Sequence, residues 1–293
     1  MVYKVEEKPV IIPCEGDRMI GVLHQPDCAS HCGVLIVVGG PQTRVGSHRQ
    51  FVLLSRFLAS NGVPVLRFDY RGMGDSEGDI RSYGDIDDDI GAAVDLLQKY
   101  AKIDKVILWG LCDAASASLF YAWKDDRVKG LILLNPWIRT QSGIARAYIR
   151  SHYPKRIFSR DFWRKLWKGE FSFSDSVPAF LDMLKRAARK TGWETMTDID
   201  DKTSAVGMSD QQLLARVAKG VSRFQGKILV VLSGNDLTAD EFRNLLKDSS
   251  KWRSLFDRDN IAEAQIANAD HTFSRLVWSH EVERLTLSWI NQL

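Results

Sequence analysis

Five short, mostly apolar runs constrain this chain more than any other feature: Gly33–Val38 (GVLIVV), Pro64–Phe68 (PVLRF), Val106–Trp109 (VILW), Val128–Leu134 (VKGLILL) and Lys227–Leu232 (KILVVL). Each is too short for a helix and reads as a strand covered on both faces. Helical spacing fills the gaps between them. Asp85–Tyr100, for example, carries Ile86, Ile90, Ala93, Val94 and Leu97 on one face, with acids in its first turn where the helix dipole favours them. Ser47 and Gln50 fit a capping box that opens a helix over Arg49–Ser60, and Asn61-Gly62 ends it. Alternation of this kind predicts an α/β fold, a mostly parallel sheet with helices on both faces. Val5–Pro13 and Met19–His24, around Glu15–Arg18, read as an antiparallel start. A helix over Ala239–Lys247, a weaker strand at Ile261–Ile266 and a helix over Phe273–Asn291, with Trp278, Leu285 and Trp289 inward, close the chain.

The alternation breaks between residues 137 and 222, where buried-strand signal gives way to helices with polar joints. The expected organisation is therefore one sheet core, 1–136 and 223–293, interrupted by a helical cap or lid at 137–222. A chain of 293 residues can bury such a core, and 45% hydrophobic with 26% charged residues is ordinary for a globular protein. No run approaches the ~18 apolar residues of a membrane span. The first residues, MVYKVEEKPVIIP, do not read as a secretory signal. Four cysteines are too few for a disulfide scaffold, so the expected location is cytoplasmic, with reduced thiols. Cys28 and Cys32 flank His31, but no second ligand pair follows, so this reads as a surface loop. Neither a metal nor a cofactor is expected. Nor is nucleic acid, because no binding module for it appears.

Chemistry concentrates at the ends of the predicted strands. Gly110-Leu111-Cys112-Asp113-Ala114 joins a strand to a helix in the pattern G-x-C-x-A, a cysteine version of the nucleophile turn G-x-S-x-G. A strained turn needs small neighbours two residues to either side, and the helix terminus favours a thiolate. A base is expected at His271, directly after the last strand, with Asp236, after KILVVL, as the acid that orients it and Asp240 as the alternate. Two amides for an oxyanion hole are expected from Asp113, next to the nucleophile, and from Gly40 in the turn Gly39-Gly40-Pro41-Gln42. Pro41 has no N–H to offer, and Gln42 is the reserve and a substrate-binding candidate.

The motifs VVGGPQ, RFDYRGMGDSEG, WGLCDAASA, LLNPW, SGND and NADH together resemble the α/β-hydrolase superfamily. More narrowly, RVGSHRQF and GLCDAASA resemble the bacterial hydrolases called exosortase A system-associated hydrolase 1, over nearly the whole chain. The resemblance implies an α/β-hydrolase fold with Cys112, Asp236 and His271 as the triad, and genes kept near a protein-sorting and exopolysaccharide system. It does not supply a substrate. The chain departs from ordinary serine esterases in having Cys112 for serine, Ala114 for glycine, and Val38 where a histidine often stands. The cysteine turn also resembles that of dienelactone hydrolases.

Between Arg139 and Lys190 thirteen basic residues face four acidic ones, a local +9 in a chain whose total is +3. Phe158, Phe162, Trp163 and Trp167 fall on one helical face, with Arg160, Arg164 and Lys168 between them. Those three cations are candidates for binding an anionic substrate, whether small, carried on an acyl carrier or linked to lipid. A basic amphipathic helix also suits peripheral membrane contact. The expected function is a cysteine acyl hydrolase of the esterase or thioesterase type. An acyltransferase would differ only in the final acceptor, and the reading from another class is a non-catalytic binding protein on the same fold.

Overall fold

A computed structural model describes residues 2–138 and 208–293. The predicted lid, apart from its two ends, and with it Arg160, Arg164 and Lys168, lies outside the described residues. Among the described residues eight strands form one sheet: β1 (Val5–Cys14), β2 (Asp17–Pro26), β3 (Cys32–Val37), β4 (Val65–Phe68), β5 (Lys105–Leu111), β6 (Val128–Leu134), β7 (Lys227–Ser233) and β8 (Ile261–Ile266). Their order is β1-β2-β4-β3-β5-β6-β7-β8. The β1–β2 hairpin joins β4 antiparallel, and every pair from β4 through β8 is parallel. Glu15 and Gly16 turn the hairpin, both at positive φ, the two-residue connection whose twist matches paired strands.

Helices α1 (Gln50–Ser60), α2 (Asp87–Ala101), α3 (Asp113–Ala122), α4 (Asp210–Arg223), α5 (Leu237–Asp248), α6 (Ser250–Phe256) and α7 (Leu276–Ile290) connect or cover the strands. Two apolar clusters result, one on each face of the sheet. One gathers Leu35, Leu108, Leu131 and Val230 with α2, α3 and α4; the other gathers Ile36, Ile107, Ile132 and Val231 with α1 and α7. Alternate strand residues point to opposite faces, so both sets are buried, and this is why the runs read as uninterrupted apolar sequence. Helix α4, from the end of the predicted insertion, buries Leu213, Val217 and Val221 in the first cluster. Gly220 permits its approach to α3, because a Cβ there would lie 2.3 Å from the Leu119 carbonyl oxygen.

The expected capping box before α1 does not form. Ser47–Arg49 is a 3-10 turn with no side-chain cap, and α1 starts one residue later, at Gln50. His48 and Arg49 both sit at positive φ, so the backbone before α1 lacks the extended entry that a capping side chain needs. Ser209 and Gln212 do form a capping box, at α4.

Candidate active site

The sheet order places the site. From β3 the chain crosses to β4 on one side and later to β5 on the other, so the strand order reverses beside β3. Open α/β sheets bind ligands at such a point, beyond the strands' carboxyl ends. Val37 of β3 pairs with Gly110 of β5, which sets the Gly39–Gln42 turn beside the Cys112 turn.

Cys112 occupies the junction of β5 and α3 with φ 62° and ψ −120°. A non-glycine residue held there costs on the order of 1–3 kcal/mol, which the surrounding fold must impose. It does so by hydrogen bonds: the Cys112 amide donates to Leu134 O at 2.8 Å, and the Cys112 carbonyl accepts from Trp137 N at 3.0 Å and Ala115 N at 3.1 Å. Gly110 explains the small residue two before it. A Cβ there would lie 2.7 Å from the Ala114 carbonyl, inside the first turn of α3.

His271 follows β8, and its Nδ1 lies 3.0 Å from Oδ2 of Asp236, which follows β7. The pair is in close contact without an aligned hydrogen bond, and Nδ1 has no hydrogen-bond partner among the described residues. Such contacts commonly tighten once substrate is bound. The Asp236 side chain is 8% exposed and that of His271 34%, so the carboxylate is shielded while the imidazole is partly open to solvent. The same Oδ2 accepts from the Ala239 amide at 3.0 Å and so caps α5. Asp240, the alternate acid, pairs instead with Arg243 at 3.0 Å.

Asn135, at the end of β6, holds the histidine loop in place. Its Nδ2 donates to Ser233 Oγ at 2.8 Å and to the His271 carbonyl at 3.0 Å, while its Oδ1 accepts from the Ser233 amide at 2.8 Å. Ser233 Oγ in turn donates to the Asp270 carbonyl at 2.8 Å. Asn135 is fully buried at φ 43°, a conformation asparagine tolerates better than most residues. The sequence reading missed this role. The only signal was a polar residue directly after an apolar strand.

Of the oxyanion-hole candidates, the Gln42 amide is engaged, donating to Gly39 O at 2.9 Å to close the turn. The Gly40 amide donates to Asp113 Oδ2 at 3.2 Å. The Asp113 side chain was not anticipated here, since the sequence argument used only its amide. Its Oδ1 also accepts from Ala114 N at 3.0 Å. Burial pushes the Asp113 carboxyl up to about 6, against the pull of hydrogen bonds from the Ala114, Gly40 and Asp113 amides and of the His271 charge. Tyr70 and Tyr83 face the same carboxylate, and burial raises both phenols to about 12. Among the described residues no group of three or more His, Cys, Asp or Glu is arranged to hold a metal ion.

The sequence matches the model of the alpha/beta hydrolase family over residues 34–284. Among curated proteins none matches it in sequence. The fold is similar to that of an esterase from Pyrococcus furiosus, at TM-score 0.62 and 15% identity, covering 98% of this chain and 93% of that one. It is also similar to Est1E of Butyrivibrio proteoclasticus with bound ferulic acid, at TM-score 0.60 and 17% identity, over 97% and 98% of the two chains. A dienelactone hydrolase of Anabaena variabilis matches at TM-score 0.59 and 13% identity, over 99% of each chain. At these identities the likeness is one of fold.

Proposed function

The chain belongs to the alpha/beta hydrolase family, and from that premise we propose that it is a cysteine-dependent acyl hydrolase acting on an ester or thioester. The observation that carries the reading is Cys112 in a strained turn at the N-terminus of α3, on the same edge of the sheet as a histidine whose Nδ1 lies 3.0 Å from a shielded carboxylate. In the proposed reaction His271 takes the Cys112 proton on Nε2, and the thiolate adds to the substrate carbonyl carbon. The oxyanion that forms is held by the Gly40 and Asp113 amides. Collapse breaks the bond to the leaving alcohol or thiol, which takes the proton from His271 and leaves an acyl-cysteine. His271 then deprotonates a water, which adds to the acyl carbon; loss of the thiolate releases the acid, and the thiolate takes the proton back from His271 to restore Cys112. Asp236 keeps the histidine turned and stabilises its cationic form.

The +9 between Arg139 and Lys190 favours an anionic substrate. Replacing Arg160, Arg164 and Lys168 with glutamine should then raise KM for anionic esters and spare small neutral ones. The motifs RVGSHRQF and GLCDAASA favour a place beside an exosortase and exopolysaccharide system. The direct test is pre-steady-state hydrolysis of a p-nitrophenyl ester. A burst of one nitrophenolate per chain, with an acyl group on Cys112 by mass spectrometry, is expected; hydrolysis that survives Cys112→Ala would sink the proposal.

A further inference from the structure

Building on this hydrolase reading, we infer that the Asp113 side chain gates the oxyanion hole: its ionised carboxylate occupies the amides that a substrate's carbonyl oxygen requires, and the hole opens when that carboxylate is displaced or neutralised. Three observations converge on it. The Gly40 amide, one of the two oxyanion donors, already donates to Asp113 Oδ2 at 3.2 Å. The Asp113 amide, the other donor, faces the same carboxylate, which the Ala114 amide also engages through Oδ1 at 3.0 Å. An internal anion therefore stands against the groups arranged for a transient one.

The third observation is the space provided for it. A Cβ on Gly39 would lie 2.0 Å from Asp113 Oδ1, so the turn after β3 accommodates this carboxylate only because residue 39 is glycine. Mere proximity of a surface acid to a loop would not require such a cradle.

The groups facing the carboxylate set how it responds to pH. They are the preceding residue Cys112, His271 from the loop after β8, Tyr70 from the loop after β4 and Tyr83 from the segment before α2. Asp89 of α2 lies behind Tyr70, and Arg216 and Asp210 of α4 lie behind Tyr83. The phenols stay neutral through the working range, which leaves His271 and Cys112 as the near neighbours able to carry charge. With its own pKa lifted to about 6, Asp113 exchanges its proton near neutrality. The ionised form makes charge-assisted hydrogen bonds to the amides, roughly twice as strong as those to a neutral carboxyl. Protonation thus loosens the side chain and frees Gly40 N–H. If binding needs the open form, apparent affinity is reduced by the open fraction. Each pH unit above about 6 then costs roughly tenfold.

The test compares wild type with Asp113→Asn, which keeps the shape and loses the charge. For p-nitrophenyl butyrate, a neutral ester, kcat/KM is measured from pH 5 to 8.5 and the ratio of wild type to variant is plotted. Titrations that the Asp113 charge does not shift cancel in that ratio; His271 and Cys112 stand beside that charge, so the Gly40 measurement separates the gate from their displaced titrations. The expected ratio is level near pH 5 and falls about tenfold per unit above about pH 6. The companion measurement needs no turnover: the Gly40 amide resonance should titrate with the same midpoint in wild type and stay flat in Asp113→Asn. A ratio independent of pH, or a Gly40 amide that does not titrate, overturns the gate. If Asp113→Asn fails to fold, Asp113→Ala takes its place in both measurements. Activity that survives Cys112→Ala defeats the cysteine mechanism instead, and the Gly40 titration then decides the gate alone.

Discussion

Asp236 uses one oxygen for two tasks, and that makes its substitution unusually informative. Oδ2 caps α5 through the Ala239 amide at 3.0 Å and lies 3.0 Å from His271 Nδ1. An asparagine must place its single carbonyl oxygen at one of two positions. The cap demands an oxygen at the position of Oδ2, and asparagine caps about as well as aspartate. The amide oxygen is then held against His271 Nδ1–H, so the imidazole keeps its tautomer and loses only the negative charge beside it. A charge-assisted contact reduced to a neutral one forfeits about 1–3 kcal/mol, so Asp236→Asn should lower kcat by roughly 10–10² with stability nearly unchanged. Asp236→Ala removes the cap as well, about 1 kcal/mol of stability, and leaves the histidine unoriented, with a loss nearer 10⁴. Urea unfolding and kcat on a p-nitrophenyl ester read both effects. The reasoning fails if Asp236→Asn falls as far as Asp236→Ala while its stability is intact, because the amide would then have turned its NH₂ to the histidine despite the cap.

Three further outcomes are expected. Brief iodoacetamide treatment followed by peptide mass mapping should modify Cys112 first, because burial raises the thiol pKa of Cys14 to about 11 and also raises those of Cys28 and Cys32. Arg71→Met should destabilise the fold by about 3–5 kcal/mol in urea. The fully buried Asp89 keeps the residue 71 amide at 2.8 Å but loses the guanidinium that contacts it at 3.0 and 3.1 Å and balances its charge. Asp113→Asn should be more stable than wild type at pH 8, by about 1–2 kcal/mol, and the gap should close in acid. The sign follows from a folded pKa raised above the unfolded one: the folded state holds the proton longer, so wild-type stability falls as pH rises from about 4 to about 6 and stays lower above it.

The five central strands, β3 to β7, were legible because they are buried on both faces, and burial on both faces leaves an uninterrupted apolar run. Strand ends were less so. Lys105 is exposed and polar, yet it pairs with Cys32 of β3 and begins β5 one residue before the predicted run. Helix α6 escaped notice because seven residues, with Trp252, Leu255 and Phe256 only partly buried, make a weak periodic signal. Ser47 and Gln50 misled because a capping motif presumes helix-entry geometry, and the left-handed His48 and Arg49 supply something else.

The site divides along the same physical line. Cys112, Asp236 and His271 could be proposed from sequence because each lies in the connection that follows a strand, and a parallel sheet sends all its carboxyl ends to one edge. Asn135 and the Asp113 carboxylate could not, because their roles exist only between strands. Asn135 reaches Ser233 and His271 across 98 and 136 residues, and Asp113 reaches Gly40 across 73. No local pattern encodes such contacts; the order β3-β5-β6-β7-β8 creates them by setting successive turns side by side. Gly39 then takes on a meaning its sequence context lacked. Beside Val38 and Gly40 it reads as a residue for a tight turn, but its described φ is not among the positive ones, so backbone freedom is not what requires it. The missing side chain is what matters, because the space it leaves is where the Asp113 carboxylate sits.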